Sequence, residues 1–347
     1  MDRVLRVLVV DDSAYVRKVI KQMLSRSPFI EVVGAARDGK EALEMVEQLQ
    51  PDVVTCDLIM PVLDGVGFVR EQMSRRPIPI IIVSIANDGS ELALTALDAG
   101  AVDFVQKPTA LATEKMFEIN DEMVEKVKSA AGVQMARVQN TLSREPDVGL
   151  TTGAPRAGLV DIVVLGISTG GPQALKYLIP QLPDDFPVPI VMVMHMPVGY
   201  TEMYAQKLNE ISRLKVSEAR EGDEVKGGAV LLAPAGRHLT LIRQANGAVV
   251  THLDARPFDS AHRPSVDVLF QSAAALFGSR TLGVVMTGMG SDGKQGAAWI
   301  KSQGGLVFTE AEQSCIVYGM PLSVVEAGLS DKSVPLERMA QTILEVV

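Results

Sequence analysis

The chain is poor in cysteine: among 347 residues only Cys56 and Cys315 carry a thiol. Two thiols so far apart exclude a disulfide framework or a zinc site. Aromatic residues are also scarce, at 4%, in a composition of 47% hydrophobic and 22% charged residues that fits an ordinary soluble protein. Long apolar runs are missing. None approaches the roughly 18 residues of a membrane span, and the stretch from Val188 to Met194 is broken by Pro189. The N-terminal run Val4 to Val10 carries Arg6 and ends in Asp11-Asp12, which reads as a buried strand rather than a signal peptide. A cytoplasmic protein is expected. Excess positive charge is absent too: the net charge is −9, with 18 Lys/Arg against 23 Asp/Glu up to Gly158 and 15 against 19 after it. Neither half offers the basic surface that holds nucleic acid by its phosphates.

What is present is an alternation of short β-branched runs and helical patterns, long enough for two domains. Runs at Arg6–Val10, Ile30–Gly34, Val53–Cys56, Pro79–Ser84 and Val102–Val105 predict five strands. Between them lie helical stripes such as Val16, Val19, Ile20, Met23 and Leu24, and Ala42, Met45, Val46 and Leu49, the latter opened by an Asp38/Glu41 N-cap pair. Five strands each followed by a helix imply a parallel sheet covered on both faces. A long or broken helix is expected over residues 114–142, with Met116, Ile119, Met123 and Val127 on one stripe, and residues 143–158 have the composition of a linker. A second α/β pattern starts at Asp161. It has strands at Ile162–Ile167, Ile190–Met194 and Leu282–Thr287, and the Gly-punctuated part between Gly222 and Leu253 reads as antiparallel hairpins inserted in the sheet.

Ligands of open parallel sheets bind beyond the carboxyl ends of the strands. In the first domain those positions hold Asp11, Asp12, Asp57, Ser84 and Lys107. Crowded carboxylates repel and call for a cation, and hard oxygen donors suit Mg²⁺. Such an ion would neutralise a transferring phosphoryl group while Lys107 and Ser84 hold its oxygens. Taken singly, each aspartate is also an ordinary helix cap. The set Asp11-Asp12, Asp57 with Met60-Pro61 and Asp64-Gly65, Ser84 and Phe104-Val-Gln-Lys107-Pro108 resembles the receiver domain of two-component response regulators. The resemblance implies a flavodoxin-like fold, phosphorylation of Asp57, and Mg²⁺ held by Asp11, Asp12, Asp57 and the Ile59 carbonyl. It further implies a Ser84/Phe104/Lys107 switch and a cis Lys107-Pro108 peptide.

In the second domain Gly166-x-Ser168-x-Gly170 places a hydroxyl in a strand-to-helix turn, where a nucleophile, a phosphate-binding loop and a plain N-cap are all open readings. His195 follows the strand Ile190–Met194 and Asp292 lies in the glycine-rich turn after the strand ending at Thr287, which completes a nucleophile, base and orienter at three strand ends. His238, His252 and His262 read as surface or structural residues. The order Ser, His, Asp is not that of α/β-hydrolases. Instead Gly166–Pro172, His195-Met-Pro197, Ala233–Leu239, Arg263-Pro-Ser-Val-Asp267, Thr287–Gly293 and Ser314–Pro321 resemble the chemotaxis methylesterase family. Met194, Ile85 and the individual linker depart from the usual pattern of the two families.

That resemblance implies a domain plan of a receiver at 1–125, a helical or flexible linker at 126–158 and a doubly wound α/β esterase at 159–347 with a mainly parallel sheet and a β-hairpin insertion. It implies hydrolysis of glutamate γ-methyl esters and deamidation of glutamines on chemotaxis receptors, with Met289 contributing an oxyanion N–H and Thr169 close to the histidine. The esterase reaction itself would need no cofactor. The implied partners are methyl-accepting chemotaxis receptors as substrate and the chemotaxis histidine kinase CheA as phosphodonor, with contact to membranes only through the receptors, no nucleic acid, and a monomeric chain. The alternatives are a receiver-regulated esterase outside chemotaxis and a receiver fused to a non-catalytic binding module.

Overall fold

The structure, a computed structural model, describes residues 3–84, 86–107, 113–147, 158–257 and 260–347, without the side chains of 86–90 and 113–120. Ile85, the Lys107-Pro108 peptide and the side chains of Met116 and Ile119 therefore lie outside the described residues. The chain forms two compact units, Met1–Leu142 and Ser143–Val347. Among the described residues no helix is long and apolar enough to cross a membrane, and both cysteines are buried and neither forms a disulfide.

The first unit alternates β1 (Leu5–Val10), α1 (Ala14–Leu24), β2 (Ile30–Ala36), α2 (Gly39–Leu49), β3 (Val53–Asp57), α3 (Gly65–Arg75), β4 (Ile80–Ser84), α4 (Ala86–Asp98), β5 (Asp103–Gln106) and α5 (Thr113–Ala131), followed by α6 (Met135–Ser143). All pairings are parallel and the strand order is β2-β1-β3-β4-β5, the doubly wound arrangement expected for a receiver. The continuous apolar runs form the middle of the sheet because both of its faces are covered, and β3 and β4 are buried throughout. Local chemistry starts the helices. Asp38 accepts from the Lys40 and Glu41 amides, and Glu41 reaches back to the Arg37 amide, one residue before the cap. Helix α5 runs straight through residues 125–126, where the linker was expected to begin. Its Lys126 is buried and bonded to Asp103 and to the Phe104 carbonyl.

The second unit contains β6 (Ile162–Ile167), α7 (Gly171–Leu178), β7 (Ile190–Met194), α8 (Thr201–Ile211), β8 (Lys215–Glu218), β9 (Ala229–Leu232), β10 (His238–Arg243), β11 (Val249–Asp254), α9 (Val266–Phe277), β12 (Thr281–Val285), α10 (Lys294–Ser302), β13 (Leu306–Glu310), α11 (Met320–Glu326), β14 (Lys332–Val334) and α12 (Leu336–Leu344). Seven strands pair in the order β14-β13-β12-β6-β7-β9-β8, all parallel. The expected β-hairpin insertion is present, but β9, read as part of the hairpins, does not belong to it. β8 and β9 are parallel members of the seven-stranded sheet, and only β10 and β11 form a hairpin, which stands as a separate two-stranded sheet. The short apolar run at β9 gave no sign of its direction, because a buried strand reads alike in either orientation. Chain order reverses at β6, whose neighbours are β7 and β12. This is the switch point where parallel sheets open a crevice.

A carboxylate is buried beside that crevice. Glu310 ends β13 fully enclosed and accepts from the Thr287 amide and the Ser314 hydroxyl, each at 2.9 Å. Burial outweighs those bonds and pushes its carboxyl up to about 7. The folded chain therefore holds this proton more tightly than the unfolded one, a contribution present at low pH and lost as pH rises through 7. Glu310→Gln, which keeps the shape without the charge, is expected to match the wild type near pH 4.5 and to exceed it above pH 7.5 by on the order of 3 kcal/mol. Denaturant unfolding at the two pH values measures the difference.

Candidate active site and acidic pocket

The parallel sheet of the first unit delivers Asp11, Asp57, Ser84 and Lys107 to one edge, since each ends or directly follows a strand. Carboxylate oxygens of Asp11, Asp12 and Asp57 lie within 4.8 Å of one another. The Lys107 ammonium stands 2.8 Å from Asp11 Oδ2 and 2.8 Å from Asp57 Oδ2. Burial raises the Asp11 carboxyl above the ordinary aspartate range against the pull of Lys107, and the Asp57 charge adds to the rise. Burial disfavours the Lys107 charge, yet its bonds and charge contacts with Asp11 and Asp57 prevail and raise it. Three carboxylates face one ammonium, so the donor set fits a hard divalent cation.

Asp57 is held from below as well. Its Oδ1 accepts from the Leu58 amide at 2.8 Å. A Cβ at Gly65 would stand 2.2 Å from the Asp57 carbonyl oxygen, so only glycine lets this loop close against β3. Ser84 and Phe104 are buried, and the Ser84 carbonyl accepts from the Lys107 amide at 2.7 Å. Ile59, two residues beyond Asp57, is exposed.

At the crevice of the second unit, Ser168 follows β6, His195 follows β7 and Asp292 follows β12, on three adjacent strands. Backbone bonds extend the sheet into the site. The His195 amide donates to the Ile167 carbonyl, and the Ser168 amide donates to the Thr287 carbonyl. A Cβ at Gly288 would lie 2.8 Å from Ser168 Cβ and 2.4 Å from Met320 Sδ, so a side chain there would displace the serine. His195 Nε2 is 2.8 Å from Asp292 Oδ2. Its Nδ1 is buried with no hydrogen-bond partner among the described residues, and no bond between hydroxyl and imidazole joins Ser168 to it. Thr169 is buried and its carbonyl accepts from the Thr287 hydroxyl. Met289 follows Gly288, and its amide donates to no group among the described residues.

Asp292 is also the N-terminal cap of a helix that is not its own. Its Oδ1 accepts from Ser265 Oγ and the Asp267 amide, and its Oδ2 accepts from the Val266 amide, all within 3.0 Å. Burial opposes its charge, but the His195 bond and these amides outweigh burial and hold the carboxyl well below the usual range. Asp267 returns the contact. Its Oδ1 accepts from the Gly293 and Gly296 amides at the start of α10, at 2.9 and 2.7 Å. Burial, followed by the nearby Asp292 charge, pushes the Asp267 carboxyl up to about 6 against those amides.

Sequence reasoning missed three neighbours. His262, read as structural, stacks on His195 with ring centroids 4.1 Å apart and planes 19° apart. Ser265 and Asp267 were noticed as part of a motif but given no role, although a serine followed by an acid at the second helical position is a helix-start signal. His238 does prove structural. It is fully buried, bonded to the Pro257 carbonyl and the Ser265 amide.

Comparison with known proteins assigns a family to each unit. Residues 163–343 match the CheB methylesterase family and residues 7–118 match the response regulator receiver domain. The chain is 52% identical to protein-glutamate methylesterase/protein-glutamine glutaminase 5 of Myxococcus xanthus over 338 residues, covering 96% of each protein. It is 44% identical to the protein of the same activity name from Symbiobacterium thermophilum, over all of this chain and 98% of that one. The crystal structure of the Thermotoga maritima CheB methylesterase catalytic domain is 45% identical with a TM-score of 0.53, covering 54% of this chain and 99% of that one. A receiver with an acidic pocket, followed by a seven-stranded sheet with serine, histidine and aspartate at its switch point, thus belongs to the CheB family of receiver-linked methylesterases.

Proposed function

We propose that the chain is a phosphorylation-controlled protein-glutamate methylesterase and protein-glutamine glutaminase of sensory adaptation, with methyl-accepting chemotaxis receptors as substrate. The observation that carries the reading is the 2.8 Å contact between His195 and Asp292, one strand away from Ser168. Because Asp292 occupies Nε2, the nitrogen left to act as base is Nδ1. Ser168 Oγ attacks the γ-carbonyl of a glutamyl methyl ester as its proton passes to Nδ1, and Asp292 steadies the resulting imidazolium. The charge on the carbonyl oxygen develops beside the Met289 amide and the N-terminus of α7. Collapse expels methanol with the proton from His195. Water, deprotonated by the same nitrogen, then releases free glutamate. A receptor glutamine follows the same path with ammonia as the leaving group, and Thr169 supports the turn that carries the serine.

The first unit is the control element. Asp57 accepts a phosphoryl group from the chemotaxis histidine kinase, and Asp11, Asp12, Asp57 and the Ile59 carbonyl would hold Mg²⁺, which would supply charge neutralisation for that transfer. Lys107, placed between Asp11 and Asp57, turns to the added negative charge. Ser84 and Phe104 follow as the switch pair.

Two measurements test the two halves. Ser168→Ala should lower methanol release from methylated receptor membranes by roughly 10⁴-fold or more and abolish fluorophosphonate labelling, as removal of a triad nucleophile does; turnover near wild type would refute the nucleophile. Asp57→Asn should take no label from acetyl phosphate, chelation of Mg²⁺ should prevent labelling of the wild type, and in neither case should a phosphodonor stimulate methanol release.

A further inference from the structure

Helices α9 and α10 share an unusual beginning. Neither is capped by the side chain at its own N-cap position, which is Ser265 for α9 and Gly293 for α10. Each takes its cap from the other's neighbourhood: Asp292, beside α10, binds the first amides of α9, and Asp267, in the first turn of α9, binds the first amides of α10. The Asp267 amide is itself one of the donors to Asp292 Oδ1. Gly293, whose amide Asp267 holds, is the residue directly after Asp292.

We infer that Asp267 is a positioning residue for the esterase, whose carboxylate fixes the turn that presents Asp292 to His195. The inference rests on the reading of Ser168, His195 and Asp292 as nucleophile, base and orienter. The physical argument is one of constraint. Asp292 Oδ2 serves both the Val266 amide and His195 Nε2, so a shift of the 290–293 turn trades one contact against the other. Asp267 opposes that shift at two points, by its amide to the carboxylate and by its carboxylate to the amides of Gly293 and Gly296. Its Oδ1 acts purely as an acceptor of two N–H bonds, a task that an asparagine oxygen also performs. The side chain needs no charge to do this.

The role predicts a separation of kcat from KM, because Asp267 lies behind the orienter and not in contact with substrate. Asp267→Ala should lower kcat for methanol release from methylated receptor membranes by roughly 10- to 100-fold, the scale of a displaced catalytic group, with KM within about twofold of wild type. Asp267→Asn should restore kcat to within about threefold. A folded Asp267→Ala enzyme with wild-type kcat, or an Asp267→Asn enzyme as slow as the alanine variant, overturns the inference. Should the alanine chain fail to fold, Asp267→Ser, with a single short acceptor, takes its place; an intermediate kcat supports the role and a wild-type kcat overturns it. Asp292→Ala measured in parallel keeps the two failures apart. If it retains wild-type kcat, the triad reading falls; if it loses kcat while Asp267→Ala does not, only the positioning role falls.

Discussion

The esterase half of the molecule depends on one buried carboxylate. Taking an aspartate out of water is costly unless donors surround it, and Asp292 is surrounded: two amides at the start of α9, the Ser265 hydroxyl and the His195 imidazole all point at its two oxygens. The helix N-terminus supplies fixed partial positive charge that does not move during a reaction. The acid therefore stays ionised in a nearly dry place. The same bonds leave the imidazole little choice of orientation. The stacked His262 ring narrows it further.

The receiver solves a similar problem with opposite means. Its carboxylates also gather at the ends of parallel strands, but the main compensating charge is the Lys107 ammonium on a flexible stem. Peptide amides hold a charge in place, whereas a lysine can be won over by a stronger anion. One pocket is thus built to stay as it is and the other to change, and the difference lies in the kind of donor rather than in the fold. The buried link from Lys126 to Asp103 and the Phe104 carbonyl ties α5 to β5.

Both folds were legible from the sequence because buried parallel strands read as continuous apolar runs and the residues after them stand out chemically. Ser168, His195 and Asp292 could be picked from three strand ends for that reason. The direction of β8 and β9 could not, since a four-residue buried strand carries no mark of orientation. His262 was hidden because stacking against His195 is a tertiary contact from a loop without periodicity. Asp267 was hidden differently. Its position in the first turn of an amphipathic helix is the ordinary place for an acid that favours the local dipole, and nothing in the residues nearby tells that its oxygen serves a second helix.

The strand order of the second unit also bears on how the protein comes into being. β6 emerges from the ribosome first and finds β7 soon afterwards, but its partner on the other side is β12, and the Arg280–Asp161 ion pair that flanks this pairing spans 119 residues of chain. Contacts so distant in sequence form late and slowly. Until then the nascent chain carries Ser168 and His195 on neighbouring strands without Asp292 beside them and with an open strand edge. The hydrolase sheet is thus completed around β6 only once β12 has been made, whereas the receiver, complete within the first unit, can fold before that.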